Sequence, residues 1–280
     1  MLVNWKDIAV LTGPDPASEP AVEAASALAS RHDAALTGLC VLPHLPAPPA
    51  DDFARGAGVG DVIARRRLVD QAQARDVAGR FADHLQPRGL RTALRVGWHD
   101  GIGEEAVIAA LYCDLIVMGR SSPARGLQTW SAEALLFSHG APMLLVPATP
   151  PETIGDHVVI AWNGSREARR AVNDALPLLT RARTVSLLVV NGAGDGGPVR
   201  GAPVAEAVRH LACHGVTATP RLVRADGRSV AESLEHEARH AGGDLIVAGG
   251  YSHARAAELV FGGVTRALLA GSALPVFLSR

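Results

Sequence analysis

Cysteine is scarce in this 280-residue chain: Cys40, Cys113 and Cys213 lie far apart and form no CxxC pair. An odd, sparse set excludes a disulfide framework and suits a reducing compartment, with each thiol acting as a small apolar filler. Net charge is nearly absent as well. A formal value of −1 removes any global electrostatic reason to expect nucleic acid or an anionic membrane as partner. The cluster Arg65-Arg66-Arg67 reads as the solvated face of a helix. There is no run of 18 apolar residues, and no basic stretch precedes an apolar one near Met1. Neither a membrane span nor a secretory leader is expected, and the chain reads as soluble and cytoplasmic. Catalytic signatures are missing too. No G-x-S-x-G elbow, Walker A lysine or G-x-G-x-x-G follows the first strand of either half, and no nucleophile–base pair is positioned. Efficient catalysis is not expected; slow turnover or autophosphorylation stays open.

What the chain does have is core. Hydrophobic residues make up 48% and charged residues 20%, enough for one large domain or two ordinary ones. Asp7–Leu11 is a short apolar strand closed by the turn signal Thr12-Gly13-Pro14. A helix over 20–31 follows, with Ala21, Ala24, Ala25, Leu28 and Ala29 on one face. The pattern continues with a strand at 35–42, a proline-rich loop from Pro43 to Ala50, and a long helix over about 61–86. Next come a strand at 91–97, a helix at 102–111, a strand at 114–118, a helix at 131–139 and a last strand at 143–147. Strands alternating with helices indicate βαβ units and a parallel sheet.

After a linker from Pro147 to Asp156 the order begins again. His157–Ala161 parallels Asp7–Leu11, and a helix over 165–179 parallels the first helix. A strand at 185–190 parallels the second strand. Asp244-Leu-Ile-Val repeats Asp114-Leu-Ile-Val, and Leu274-Pro-Val-Phe-Leu repeats Ala141-Pro-Met-Leu-Leu. The offset is 150 at the first strand (160 − 10) but 130 at the fourth (244 − 114). The first half therefore carries about 20 extra residues (150 − 130), which the proline-rich loop and long helix account for. This is a tandem duplication of one α/β unit, with domains at 1–149 and 150–280.

The stretch Asp244–Arg266 bears most directly on function. A buried strand ends in Gly249-Gly250, and after a loop Gly262-Gly263 precedes a helical segment. Glycines let backbone N–H groups approach a phosphate, and a helix start adds a favourable dipole. The same glycines also serve as tight turns between strand and helix, so the motif alone leaves both readings open. The first half keeps Gly119 but has no Gly-Gly before its helix.

On these residues each half resembles a universal stress protein domain, and the chain resembles a tandem universal stress protein along essentially its full length. The likeness is strongest over 157–280, in Val158-Val-Ile-Ala-Trp-Asn-Gly-Ser-Arg166 and in Gly249-Gly-Tyr-Ser-His-Ala-Arg255 to Phe261-Gly-Gly-Val-Thr-Arg266. The resemblance implies an open parallel five-stranded sheet per half, Rossmann-like, with helices on both faces. It also implies ATP, alone or with magnesium, lying across the carboxyl ends of the strands. Gly249, Ser252, Gly262 and Gly263 fall on the family's Gly-x2-Gly-x9-Gly-Ser/Thr anchors, along the phosphates. Thr265 would offer a hydroxyl to a phosphate or to magnesium, and His253 and Arg255 would supply positive charge. Ala161 lines the adenine slot, Val190 offers backbone hydrogen bonds to the adenine edge, and Asn163 stands near the ribose. Ala248 and Val264 flank these positions.

The departures are specific. Ser252 replaces a glycine, Gly263 replaces Ser/Thr, and Asn163 stands where the family often has aspartate. In the first half, Trp130 or Glu133 falls where phosphate would sit, so that site reads as degenerate and one chain binds at most one nucleotide. His99-Asp100 reads as a polar loop, and His236 and His240 as a solvated helix face, so no metal site is expected. The implied role is a nucleotide-dependent sensor or regulator of stress responses. The halves would form a pseudo-dimer joined through their last strands, two such chains could associate again, and the protein partner is unknown. The alternative is an interaction scaffold, or a protein binding another small ligand, with purely structural glycine turns.

Overall fold

A computed structural model of the chain describes residues 4–42, 59–85, 88–98, 112–120, 132–191, 204–250 and 263–280. Apolar runs such as Asp7–Leu11 (β1) and His157–Ala161 (β6) are buried at their centres, as strands covered on both faces must be. The first half continues with α1 (Glu19–His32), β2 (Ala35–Leu42), α2 (Val59–Leu85), β3 (Thr92–Trp98), β4 (Leu115–Gly119), α3 (Ala132–Ser138) and β5 (Met143–Val146). The second, after β6, has α4 (Arg166–Asp174), α5 (Leu176–Leu179), β7 (Thr184–Asn191), α6 (Val204–Cys213), β8 (Ala218–Arg224), α7 (Val230–His240), β9 (Leu245–Gly249), α8 (Gly263–Gly271) and β10 (Val276–Ser279). The helix expected at 102–111, the proline-rich loop and His99-Asp100 lie outside the described residues.

The strands form a single sheet in the order β3-β2-β1-β4-β5-β10-β9-β6-β7-β8. Every pairing is parallel except one: β5 meets β10 antiparallel, with Leu144 opposite Phe277. The two last strands thus close each other's edges, which would otherwise offer unpaired backbone groups. Successive strand residues feed opposite faces of the sheet. Val158, Ile160, Leu245 and Val247 join one core with α1 and α4, and Val159, Ile246 and Ala248 join the other with α3, α7 and α8. That alternation is the two-residue period of a strand.

Three details differ from the sequence pattern. The helix expected over 165–179 is broken between α4 and α5, at Ala175 (φ −85, ψ −5), where Pro177 enters the next turn. A proline ring cannot accept the regular helical geometry of its preceding turn. The edge strand β8 carries Pro220 and a mostly exposed run, so it lacks an apolar signature; proline is tolerated at a sheet edge. Finally, Cys40 is buried and Cys113 half-buried, but Cys213 is exposed and so is no core filler.

The repeated aspartate has a structural reason. Asp244, 4% exposed, accepts hydrogen bonds from Thr153 Oγ1 (2.7 Å), Gly155 N (3.0 Å), Asp156 N (2.9 Å) and His157 N (2.9 Å). Its counterpart Asp114 accepts from Lys6 N (2.6 Å) and Asp7 N (3.0 Å). Each carboxylate anchors the segment leading into the first strand of its half. Arg31 adds a second tie to the linker, donating to the Ile154 and Arg181 carbonyls and pairing with Asp156 at 3.1 Å. Among the described residues no helix is long and apolar enough to cross a membrane.

Candidate functional site

The strand order reverses direction between β6 and β9, which lie side by side with Ala161 opposite Ala248. Connections leave such a point in opposite directions and open a crevice beyond the strand ends. Here the crevice is a cavity of about 170 Å³. Ala161 and Ala248 form its floor, and Leu188 and Val190 one wall. Gly263, Val264 and Thr265 at the start of α8 face them, Val230 and Leu234 of α7 form a side, and the Trp162-Asn163 turn completes the lining.

The structure therefore brings together eight of the residues selected from the sequence: Ala161, Asn163, Val190, Ala248, Gly249, Gly263, Val264 and Thr265. Ser252, His253, Arg255 and Gly262 lie outside the described residues. Trp162, Leu188, Val230 and Leu234 were not anticipated. A sequence signal for the last two exists: Ser229 and Glu232 form a reciprocal capping box at the start of α7, a recognisable helix opening.

Local geometry separates the glycines. A Cβ on Gly249 would stand 2.5 Å from Ala168 N and from the Glu167 carbonyl carbon, so the close approach of α4 to β9 requires glycine whatever binds. The equivalent Gly119 would meet the Ala17 carbonyl oxygen at 3.1 Å. A Cβ on Gly250 would collide with Leu136 of the first half at 2.7 Å. Packing against backbone thus accounts for Gly249, whereas the contact at Gly250 is with the end of one leucine side chain. Gly263 differs: it is exposed, a Cβ there would meet nothing within 4 Å of described atoms, and it opens α8 beside the cavity. The first N–H groups of a helix lack intrahelical partners and favour an acceptor.

The turn after β6 is held by its own side chains. Asn163 Oδ1 accepts from Ser165 N (3.0 Å), and Ser165 caps α4 by accepting from Ala168 N (3.1 Å). Trp162 N donates to the Leu188 carbonyl at 2.8 Å. The two-residue period of β7 then sets the Val190 carbonyl on the same side, beyond the end of β6. Thr265 is 5% exposed and lines the cavity from α8. Among the described residues no group of three or more His, Cys, Asp or Glu side chains is arranged to hold a metal.

In the first half, Leu11 ends β1 where Ala161 ends β6, and Met118 stands where Ala248 does. Both side chains pack into the core on that face of the sheet. Two larger side chains thus take space that two alanines leave open. Glu133 stands in the first turn of α3, where its carboxylate disfavours an anion; Trp130 lies outside the described residues.

An open, doubly wound sheet with a crevice at its switch point defines a Rossmann-like α/β protein. Within that class, residues 4–141 belong to the universal stress protein family, whose model "Universal stress protein family" they match. The match falls on the half whose phosphate loop departs further from the motif, although the motif resemblance is stronger over 157–280. The second half carries the same strand order. Among solved structures, a universal stress protein from Archaeoglobus fulgidus DSM 4304 shares 14% identity and a TM-score of 0.71, with 98% of each chain covered. A putative universal stress protein from Pseudomonas aeruginosa UCBPP-PA14 shares 16% identity and a TM-score of 0.61, over 98% of this chain and 93% of that one. These likenesses show the fold. No curated protein matches the chain.

Proposed function

We propose that the chain is a cytoplasmic stress-response protein that binds an adenine nucleotide, ATP with or without magnesium, in the cavity between β6, β9 and α8. Residues 150–280 form the binding domain, and residues 1–149 form a second domain whose equivalent site is closed. Binding would change the chain's interactions with an unknown protein partner, so the role is that of a sensor and regulator. The observation that carries the reading is the alanine-floored cavity beside the glycine start of α8. Small floor residues suit a flat base, the Val190 carbonyl suits an exocyclic amine, and a helix N-terminus suits phosphate.

Calorimetric titration of the purified chain with ATP and with AMP tests this, with one site per chain expected. Gly263→Glu places a carboxylate at the α8 start without a clash among the described residues, and it should weaken ATP at least tenfold while Gly263→Ala retains binding. Two equivalent sites per chain, or unchanged affinity in Gly263→Glu, would sink the assignment. The packing reason for Gly249 favours one other reading, a cleft for a non-nucleotide ligand. That reading gains if neither nucleotide binds.

A further inference from the structure

The duplication supplies an internal comparison for a second groove, the one between the first and second helices of each half. In the first half this groove lies between α1 and α2 and is nearly closed, at about 20 Å³. Arg80 crosses it to donate to the Pro14 carbonyl (2.9 Å), and Val77 and Phe81 of α2 fill it. In the second half the groove between α4 and α6 is open among the described residues, at about 270 Å³. The offsets of 150 and 130 pair Thr12 with Trp162, Glu19 with Arg169, Val77 with Ala207, and Arg80 with His210. A large side chain is thus replaced by alanine on α6, and a rim carboxylate becomes a guanidinium.

One cation stands at the rim of this groove, above the buried Trp162 ring. Trp162 is 5% exposed, and its indole N–H is buried with no acceptor. Arg169 lines the rim, is exposed, and forms no ion pair among the described residues. The other polar groups at the rim are engaged: His210 Nε2 donates to Asn173 Oδ1 at 2.9 Å, and Glu206 pairs with Arg209 at 2.8 Å. Val172 and Ala207 supply an apolar floor.

The geometry points to a second small-molecule site in this groove, one that takes a small apolar carboxylate. Its hydrocarbon body packs on Trp162, Val172 and Ala207, and its carboxylate accepts from Arg169. Charge-assisted bonds of this type are stronger than neutral ones. The site is separate from nucleotide binding in its chemistry, since Arg169 and Ala207 line this groove and not the cavity at β9. Trp162 borders both.

Benzoate serves as the probe and benzamide as its neutral counterpart. Each is titrated into 15N-labelled protein while the Trp162 indole resonance, assigned through Trp162→Phe, is followed. Benzoate should shift that resonance saturably with a Kd below about 1 mM, and benzamide should bind at least about tenfold more weakly. Arg169→Leu, a change at an exposed position, should weaken benzoate about tenfold or more. Ala207→Phe should refill the groove and abolish the shift. Absence of a saturable shift overturns the proposal, as does equal binding of benzamide. So does an unchanged benzoate Kd in Arg169→Leu, which would put the probe in the neighbouring cavity.

Discussion

Replacing Asp244 by alanine should be among the most destabilising single changes in this chain, and the duplication provides its control. The Asp244 carboxylate receives four hydrogen bonds, from Thr153 Oγ1 and the N–H groups of Gly155, Asp156 and His157. The bond from Gly155 is buried and the other three are partly buried. Losing the acceptor of a buried N–H costs about 2 kcal/mol, and partly buried donors regain some of the loss through water, at about 0.5–1 kcal/mol each. The sum for Asp244→Ala is about 4 kcal/mol. Asp114 is exposed and accepts from two backbone N–H groups, Lys6 N and Asp7 N. Asp114→Ala should therefore cost only about 1 kcal/mol. Urea unfolding followed by tryptophan fluorescence would measure both, with Asp244→Asn expected to fall between them. Equal losses in the two alanine variants would refute the reasoning, because burial of the anchored N–H groups would then not decide the cost.

Enlarging the cavity floor by Ala161→Leu or Ala248→Met copies the first half's Leu11 and Met118; nucleotide affinity should fall at least tenfold in calorimetry, with stability changed by about 1 kcal/mol or less. His32 should make stability fall in acid. Burial, then Arg181, Arg31 and Lys6, lower its pKa from 6.5 to about 4. The unfolded chain takes the proton first as pH falls, so stability is intact above 6.5 and is lost between there and about 4, by at most about 3 kcal/mol. Urea midpoints from pH 7 to 4 should fall less steeply in His32→Gln than in the parent; parallel curves would exclude His32 as the cause. Iodoacetamide at pH 8 should label Cys213, which is exposed, whereas burial pushes the Cys40 and Cys113 thiols up to about 12. Mass spectrometry finding modified Cys40 in folded protein would contradict this.

The duplication and the strand–helix alternation were written in local patterns, whereas most of the cavity-lining positions came from the resemblance to the family. Apolar runs, the repeated Asp-Leu-Ile-Val and the 130- and 150-residue offsets depend on residue order alone, and the two-residue period of a strand translates them into a sheet buried on both sides. Trp162, Leu188, Val230 and Leu234 were not read from order, because they reach the cavity only once β7 lies beside β6 and α7 folds over both. The meaning of the glycines also waited for tertiary structure. Gly249 and Gly250 look alike in sequence to Gly263, yet the backbone of α4 excludes a side chain at Gly249 and the Leu136 side chain crowds Gly250, while at Gly263 no described atom stands within 4 Å of a Cβ. The sequence by itself determined where strands and turns would fall. Only packing between distant segments decided which small residues make room for neighbours and which leave room for a ligand.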